Sequence, residues 1–311
     1  MSVIDARYQV LRSQVLPGLS LAYLREGVGG YPLLLIHGFP ETKRIWYRNV
    51  GPLAEAGFEV IVPDLRGFGD SDLAPDGFYD PAAYARDLHA LLHDVLKHDR
   101  CSVAGGDIGG VVAPNLALMY PGFVERLCIF NTIPPMLNDE YAKAGIAEDE
   151  PVESRSVMDY FVRQGTDADG LAAEMDTPER RRRYIDSFYS HRLWHGHYEF
   201  SREEIDFFTE PFADAGKFRA SYGLYECNFG KRQLSEMVRF FEPVPVPTLI
   251  LYGPEDPVFD ERFMRRCEIA YPDHAGPFVV PGAGHFLQWE KTEMLNSSLR
   301  HFMRDRLERQ S

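Results

Sequence analysis

Residues 105–109, Gly-Gly-Asp-Ile-Gly, place the carboxylate of Asp107 in the middle of a glycine-rich turn. The apolar run 101–104 before the turn predicts a buried strand, and the run 111–119 after it predicts a helix. This is the pattern of a nucleophile elbow, with Asp where Ser usually stands. Glycine is favoured because so sharp a turn brings backbones too close for a Cβ. An ordinary glycine-rich βα turn is the alternative that these residues alone leave open.

An aspartate at this position favours one type of reaction. A carboxylate is a poor acyl acceptor, but it can displace a leaving group at an sp³ carbon and become an alkyl ester. Water can then hydrolyse that ester at its carbonyl carbon. Asp107 therefore favours the opening of an epoxide or the expulsion of a halide over the hydrolysis of esters and amides.

Short apolar runs separated by turns predict the elements that position this aspartate. Strands buried on both faces are predicted at 32–36, 58–62, 101–104, 126–130 and 248–252, with a last strand at 278–280. Two edge strands are predicted at 8–12 and 19–25, on either side of a turn at 17–18, and helices at 46–56, 81–98, 111–119 and 293–307. The alternation of strands and helices predicts an α/β fold with a mostly parallel, eight-stranded sheet flanked by helices.

The alternation stops after Asn131. Residues 133–242 contain charged and aromatic helical patterns, such as 178–189 and 201–208, but no buried strand. We therefore predict a core domain of residues 1–132 and 243–311, interrupted by a helical cap of residues 133–242. Ligands of open α/β sheets bind outside the carboxyl ends of the strands, so a cap at that edge would close a pocket.

Composition narrows the choice of partners. The chain has 311 residues and a formal net charge of -14, which disfavours nucleic acids and anionic membranes. Cys101 and Cys128 lie in apolar runs, and none of the four cysteines forms a C-x-x-C pair, so we expect buried free thiols in a reducing compartment. No signal-peptide pattern or membrane-spanning run is found, so a cytoplasmic location is expected. The oligomeric state is open between a monomer and a homodimer.

Five motifs follow one another along nearly the whole chain. They are residues 37–40 (His-Gly-Phe-Pro), residues 64–71 (Asp-Leu-Arg-Gly-Phe-Gly-Asp-Ser), the aspartate turn 105–109, Asp256, and residues 284–285 (Gly-His). Together they closely resemble the α/β-hydrolase superfamily, and in particular its Asp-nucleophile branch of epoxide hydrolases and dehalogenases. The order nucleophile, acid, histidine is the one expected of that fold.

The resemblance implies a role for each matching residue. Asp107 would be the nucleophile, His285 the general base, and Asp256 the acid that orients and stabilises the imidazole. The backbone N–H groups of Phe39 and Ile108 would form the oxyanion hole.

Other carboxylates and positions compete for the role of the acid. Asp256 could instead cap the helix that follows Pro257, and Glu255 is a neighbouring carboxylate. Some members of the family place the acid after the strand that precedes the cap. That position here holds Asn131, which cannot serve as an anion, so Asp256 is preferred.

The leaving oxygen of an epoxide needs a proton, which phenol hydroxyls of the cap would supply. Residues 217–225 resemble the epoxide hydrolase segment that ends in the donor tyrosine, which indicates Tyr225. Tyr160 is the candidate for a second donor, although an alignment slip of one or two residues would put Met158 there. Tyr222 is a further candidate for a proton donor. Aromatic packing is the alternative for each tyrosine. The resemblance further assigns three residues to the substrate pocket: His37, Pro40 and Tyr222.

The resemblance implies an enzyme that converts an epoxide and water to a vicinal diol through an ester on Asp107, without a cofactor. A haloalkane or haloacid dehalogenase with the same residues is the alternative. Ile108 stands where many haloalkane dehalogenases have a halide-binding Trp, and Ile108 and Val111 stand where fluoroacetate dehalogenases have an Arg pair. Tyr225 discriminates less, because fluoroacetate dehalogenases share a tyrosine there. A ligand-binding protein without catalysis ranks third.

Three histidines, His191, His195 and His197, are spaced as metal ligands could be on one face of a helix. No H-E-x-x-H motif and no nearby cysteine supports that interpretation, so no metal is predicted.

Overall fold

The protein is described by a computed structural model that covers residues 8–148, 150–193 and 197–308. The strands of this part of the chain are β1 (Leu11–Leu16), β2 (Leu19–Glu26), β3 (Tyr31–Ile36), β4 (Phe58–Pro63), β5 (Cys101–Gly106), β6 (Val124–Phe130), β7 (Thr248–Tyr252) and β8 (His274–Val279). They form one sheet in the order β1-β2-β4-β3-β5-β6-β7-β8. Only the pairs β1–β2 and β2–β4 are antiparallel, which confirms the mostly parallel, eight-stranded sheet.

Three strands differ from the sequence predictions. The first runs from Leu11 to Leu16 instead of 8–12, because the turn at 17–18 pairs Leu16 with Leu19 and so fixes where the hairpin begins. The second strand lies between β1 and β4, so it is not an edge strand. The last strand begins at His274, where small and polar residues provide no apolar run, and it is half-exposed at the edge of the sheet.

Helices flank the sheet and follow most of its strands. In the described residues the α-helices are α1 (Tyr47–Glu55), α2 (Pro81–His89), α3 (Asp107–Met119), α4 (Asn138–Lys143), α5 (Asp159–Thr166), α6 (Ala168–Glu174), α7 (Pro178–Ser187), α8 (Arg202–Thr209), α9 (Ala215–Ala220), α10 (Gly223–Asn228), α11 (Arg262–Ala270), α12 (Leu287–Glu290), α13 (Thr292–Phe302) and α14 (Arg304–Leu307). Asp80 caps α2 by accepting from the N–H groups of Ala82 and Ala83, as its position before Pro81 predicts.

The described residues between β6 and β7 form helices α4 to α10 and no strand, as the sequence pattern predicts. We call these seven helices, with the segments that join them, the inserted helices. Aromatic rings pack them onto the loop that follows β3: the ring of Phe39 lies 5.3 Å from that of Phe188 and 5.4 Å from that of Tyr225. The domain boundaries at 132 and 243 stay a prediction.

The motif at residues 64–71 has a structural role in the loop that follows the carboxyl end of β4. The side chain of Arg66 is fully buried and donates to both carboxylate oxygens of Asp87, at 2.5 and 2.6 Å. Asp64 accepts from the backbone N–H and the ammonium of Lys43, at 2.8 and 2.6 Å. Buried charges need such partners, so this motif fixes the loop after β4 and supplies no reacting group.

All four cysteines are free thiols, and Cys101 and Cys128 are buried, as predicted. Among the helices of the described ranges, none combines the length and the apolar character needed to cross a bilayer.

Candidate active site

Asp107 lies at the sharp turn between β5 and α3, in the left-handed region with φ +47°. A non-glycine residue in that region is uncommon and is found at active sites. The glycines around it are required by space: a Cβ on Gly105 would lie 2.6 Å from the carbonyl carbon of Gly109, and one on Gly109 would lie 2.3 Å from the oxygen of Ile36. The backbone N–H of Asp107 donates to the oxygen of Asn131, at 2.9 Å.

Two backbone N–H groups converge on the carboxylate of Asp107. The N–H of Phe39 donates to Oδ1 at 2.7 Å, and the N–H of Ile108 donates to the same carboxylate. Burial raises the pKa of Asp107, while His285 and these two N–H groups act in the opposite direction. The predicted oxyanion donors therefore lie where charge on the Asp107 carbonyl oxygen would be stabilised.

The imidazole of His285 lies between two carboxylates. Its Nδ1 is 2.8 Å from Oδ2 of Asp256, and its Nε2 is 3.7 Å from Oδ2 of Asp107. Burial by itself lowers the pKa of His285, but Asp256, Asp107 and Glu41 raise it to about 9. The buried Nε2 has no hydrogen-bond partner among the described residues, so it is available to a water molecule.

Asp256, and not Glu255, holds the histidine ring. It is buried just beyond the end of β7, and its other oxygen, Oδ1, accepts from the N–H of Val258 at 2.8 Å. Asp256 therefore orients the imidazole and closes the turn after β7. It does not cap a helix, because the next helix, α11, begins only at Arg262.

Asn131 joins the loops that carry the acid and the histidine. Its Nδ2 donates to the oxygen of Gly284 at 2.7 Å, and its Oδ1 accepts from the N–H of Gly253 at 2.8 Å. Sequence reasoning treated this position only as a missing acid. The structure gives it a positioning contact on each side of the Asp256–His285 pair.

Two further carboxylates beside the site, the buried Glu41 and the half-buried Glu290, were missed by the sequence analysis. Glu41 accepts from the N–H of Gly38 and from Nε2 of Gln288, each at 2.6 Å, and burial raises its pKa to about 7. Glu290 accepts from the N–H groups on both sides of His285, those of Gly284 at 2.6 Å and Phe286 at 2.9 Å. In sequence each looks like an ordinary surface glutamate, and only proximity to a motif could have drawn attention to it.

A cavity of about 730 Å³ opens between Asp107 and the inserted helices, and both predicted proton donors line it. The rings of Tyr160 and Tyr225 are 6.4 Å apart. Burial, followed by the charge of Asp107, raises the pKa of each phenol well above its usual value. Both phenols therefore keep their protons at neutral pH. Met158, the alternative to Tyr160, lines the same cavity.

Three residues assigned to the substrate pocket by resemblance do not line this cavity: His37, Pro40 and Tyr222. The ring of His37 is held by backbone, since Nε2 accepts from the N–H of Leu65 at 3.0 Å and Nδ1 donates to the oxygen of Gly38 at 2.9 Å. Burial lowers the pKa of His37 to about 4, so the ring is neutral.

Pro40 and Tyr222 are enclosed by other groups. The oxygen of Pro40 accepts from the hydroxyl of Tyr189 at 2.6 Å. Tyr222 is fully buried, and its hydroxyl has no hydrogen-bond partner among the described residues. Both positions support the packing of the inserted helices on the loop after β3, and the structure corrects their assignment to the pocket.

Of the three histidines considered as metal ligands, the two that the structure describes do not line the cavity. His195 lies outside the described residues, and neither His191 nor His197 is among the cavity lining. In the ranges that the structure describes, one group has ligand atoms close enough to hold a metal ion, and it consists of His89, His93 and Asp94. None of these three residues lines the cavity.

Comparison with known proteins gives a consistent result. Residues 31–292 match the alpha/beta hydrolase fold family. The soluble epoxide hydrolase of Corynebacterium sp. (strain C12) is 30% identical over 291 residues, which cover 92% of this chain and 94% of that protein. Epoxide hydrolase A of Mycobacterium tuberculosis is 28% identical, with 92% and 94% covered. The structure of the epoxide hydrolase CorEH without ligand has a TM-score of 0.79 at 24% identity, and covers 96% of this chain and 99% of its own.

Proposed function

This chain belongs to the α/β-hydrolase family, and we propose that it is an epoxide hydrolase, which adds water to an epoxide to form a vicinal diol. One observation carries the proposal: a carboxylate on a strand-to-helix turn faces a histidine–aspartate pair on one side and a cavity with two protonated phenols on the other. The family membership rests on the match over residues 31–292 and on the Corynebacterium relative.

In the first step, a carboxylate oxygen of Asp107 attacks one oxirane carbon and the bond from that carbon to the epoxide oxygen breaks. The oxygen keeps the electron pair and takes a proton from Tyr160 or Tyr225, while the other phenol donates a hydrogen bond. Because burial keeps both phenols protonated, a donor is available throughout the neutral pH range. The product of the step is a hydroxyalkyl ester of Asp107.

In the second step, His285 takes a proton from water through Nε2, and the hydroxide attacks the carbonyl carbon of the ester. The 3.7 Å between Nε2 of His285 and Oδ2 of Asp107 supports this role for the histidine. The N–H groups of Phe39 and Ile108 stabilise the negative oxygen of the tetrahedral intermediate. Collapse of the intermediate breaks the bond from the former carbonyl carbon to the substrate oxygen, which takes the proton from His285 and leaves as part of the diol. The Asp107 carboxyl has kept the other hydrogen of the water and loses it as a proton to the deprotonated phenol through solvent.

Esterification also prepares the base for its task. In the resting enzyme, Asp107 is one of the anions that raise the pKa of His285 to about 9. Once Asp107 is an ester it carries no charge, so the pKa of His285 falls and the imidazolium releases its proton to solvent more readily, which leaves the neutral imidazole. The base therefore becomes active at the stage at which it is needed.

The cavity wall beside Asp107 favours epoxides over organohalides. Ile108 and Val111 both line it with aliphatic side chains, so those side chains offer a halide no N–H donor and a haloacid no cation. The steps above use only residues of this chain and water. We further propose that the inserted helices act as the cap. A homodimer and a cytoplasmic location stay predictions.

The test is a single turnover of styrene oxide by excess enzyme in ¹⁸O-labelled water, followed by mass spectrometry of the peptide that contains Asp107. The label is expected in that peptide before it appears in product. Label that enters the diol directly, with the peptide unlabelled, would contradict the covalent mechanism. Parallel assays with 1-haloalkanes and haloacetates are expected to release no halide, and halide release without diol formation would favour the dehalogenase.

A further inference from the structure

The cavity extends well beyond the reacting groups. At about 730 Å³ it is in the range of sites that enclose drug-sized ligands, which is far larger than an oxirane with small substituents. Most of its wall away from Asp107 is apolar, with side chains such as Ile146, Val152, Leu224, Val258 and Phe263. A short substrate would leave most of this apolar surface in contact with water.

The outer end of the cavity carries exposed apolar side chains. Of the ten large apolar residues that are exposed in the described ranges, five line this cavity: Ile133, Met136, Leu234, Met237 and Phe241. Met237 is 85% exposed and Phe241 is 65% exposed. Clustered exposed apolar side chains mark binding surfaces, whereas single ones need no explanation. We call Met136, Leu234, Met237 and Phe241 the apolar mouth.

The apolar mouth is built from two chain segments joined by backbone. The N–H of Met136 donates to the oxygen of Phe240 at 2.7 Å, which ties the segment after β6 to the segment after α10. Phe240 is buried and also lines the cavity. The mouth and the site of Asp107 therefore border one continuous space.

The charged residues along the wall do not favour an anionic ligand. Besides Asp107, three acidic residues (Glu148, Glu150 and Asp260) and two arginines (Arg155 and Arg266) line the cavity. Each arginine also donates to a backbone oxygen, Arg155 to that of Val258 and Arg266 to that of Ala147. With Asp107 included, the charges sum to two negative, so a carboxylate on the ligand would meet no excess of positive charge.

We propose that the substrate is an epoxide with a long, uncharged apolar chain, whose oxirane lies at Asp107 and whose chain extends to the apolar mouth. This inference rests on the proposed epoxide hydrolase function and names the substrate class of the same site. The alkyl chain of the substrate packs against the apolar wall and covers the exposed side chains of the mouth, so the binding energy grows with the length of the alkyl chain.

The experiment compares kcat/KM for 1,2-epoxybutane, epoxyhexane, epoxyoctane, epoxydecane and epoxydodecane, each below its solubility limit. Burial of a methylene group is expected to raise kcat/KM about two- to fourfold. A series that is flat beyond epoxybutane overturns the proposal and leaves the proposed function standing. If no epoxide is turned over, both the proposed substrate class and the proposed epoxide hydrolase function are contradicted.

Variants at the apolar mouth test whether the alkyl chain of the substrate reaches it. In the double variant Met237→Ser/Phe241→Ser, the ratio of kcat/KM for epoxydodecane to that for epoxybutane is expected to fall about tenfold. The matched control is Phe278→Ser, an exposed apolar residue on β8 that does not line the cavity, and it is expected to leave the ratio unchanged. Equal ratios in the mouth variant and the wild type overturn the proposed path.

Two further arms test the charge and the nature of the occupant. We expect 10,11-epoxyundecanoate to react at least about tenfold more slowly than 1,2-epoxyundecane, and a faster reaction of the acid overturns the uncharged chain. Flotation with neutral phosphatidylcholine vesicles is expected to leave the wild-type protein unbound. Vesicle binding that Met237→Ser/Phe241→Ser abolishes, with a flat chain-length series, assigns the mouth to a lipid surface and contradicts the proposal.

Discussion

The two sides of the cavity are built by different means. One side is formed by the carboxyl ends of the strands, which we call the sheet edge. Glycines without room for a Cβ, and hydrogen bonds to backbone and carboxylate groups, hold Asp107, Asp256 and His285 there. On the side of the inserted helices, Tyr225 is held by ring packing, at 5.4 Å from Phe39 and 5.0 Å from Phe161. Backbone geometry fixes the first side, and side-chain packing fixes the second.

This difference suggests a division of labour. In the proposed mechanism, the sheet edge makes and hydrolyses the ester, which needs atoms held to within a fraction of an ångström. The inserted helices would supply protons and enclose the substrate, which tolerates a less rigid support. Variants of the inserted helices should therefore slow only ester formation, whereas variants of the sheet edge can slow either step, and single-turnover experiments can separate ester formation from ester hydrolysis.

The largest effect is expected for Asp107→Asn. Without the carboxylate no ester forms, so kcat should fall by roughly 10⁴-fold or more. The matched control, Asp94→Asn, changes a carboxylate whose side chain is 65% exposed and which does not line the cavity, and it should keep full activity. Diol formation by Asp107→Asn at a rate near that of the wild type would contradict the role of the sheet edge in ester formation.

Asp256→Asn should slow the second step selectively, by about 10³- to 10⁴-fold. Burial lowers the pKa of His285 and Asp256 is the leading group that raises it, so the pKa falls below about 9 in the variant. The imidazolium formed during hydrolysis is then less stable, although the first step continues. Enzyme that carries the mass of the bound substrate should accumulate, as intact-protein mass spectrometry can detect.

Glu255→Gln is the control for that variant, because Glu255 neighbours Asp256 in sequence but does not hold the ring of His285. It should change kcat less than twofold. If Asp256→Asn showed no accumulated ester and slowed only its formation, the acid would act on a different step from the one proposed.

Tyr225→Phe should slow the first step by about 10- to 100-fold with epoxides. General acid catalysis contributes 10²- to 10⁴-fold, and Tyr160 remains as a second donor. Tyr222→Phe is the control: that hydroxyl is enclosed without a partner, so its removal should change the rate less than twofold. Equal losses in both variants would indicate that the tyrosines act only through packing.

The difference between the sheet edge and the inserted helices also explains which parts of the fold and of the site could be predicted from the sequence. Buried parallel strands are continuous apolar runs, so most of the sheet and the turn at Asp107 could be located from residue types alone. Strand β8 could not be fully located, because His274 and its neighbours are small or polar at an exposed edge. The roles of the site residues depended on the order of the motifs and on resemblance, which assigned His37 to a pocket where it does not lie.

The inserted helices were predictable only as helices. Tyr222 and Tyr225 are three residues apart in one aromatic segment, yet one hydroxyl is enclosed and the other side chain lines the cavity. Tertiary packing decides which of the two tyrosines is enclosed and which lines the cavity, and no local sequence pattern indicates this. Glu41 and Glu290 escaped notice for a related reason, since their burial depends on loops that meet only in the folded chain.

Glu290→Gln is expected to affect stability more than chemistry. Its two oxygens accept from the N–H groups on both sides of His285, and the amide nitrogen of Gln cannot accept. One buried N–H is left unpaired, so the free energy of unfolding in urea should fall by about 1–3 kcal/mol and kcat by a few-fold. Glu293→Gln, at the exposed start of α13, should leave both unchanged.

The smallest effect is expected for Glu41→Gln, which removes a charge and keeps a polar side chain of similar size. The charge of Glu41 raises the pKa of His285, so its removal lowers that pKa. Because ester hydrolysis requires neutral imidazole, the pH at which hydrolysis reaches half its maximal rate should move to lower pH, with the maximal rate changed less than about threefold. Single-turnover hydrolysis of the accumulated ester between pH 5 and 10 measures this shift. A shift to higher pH would mean that Glu41 acts on His285 other than by its charge, for instance through its bond to Gln288.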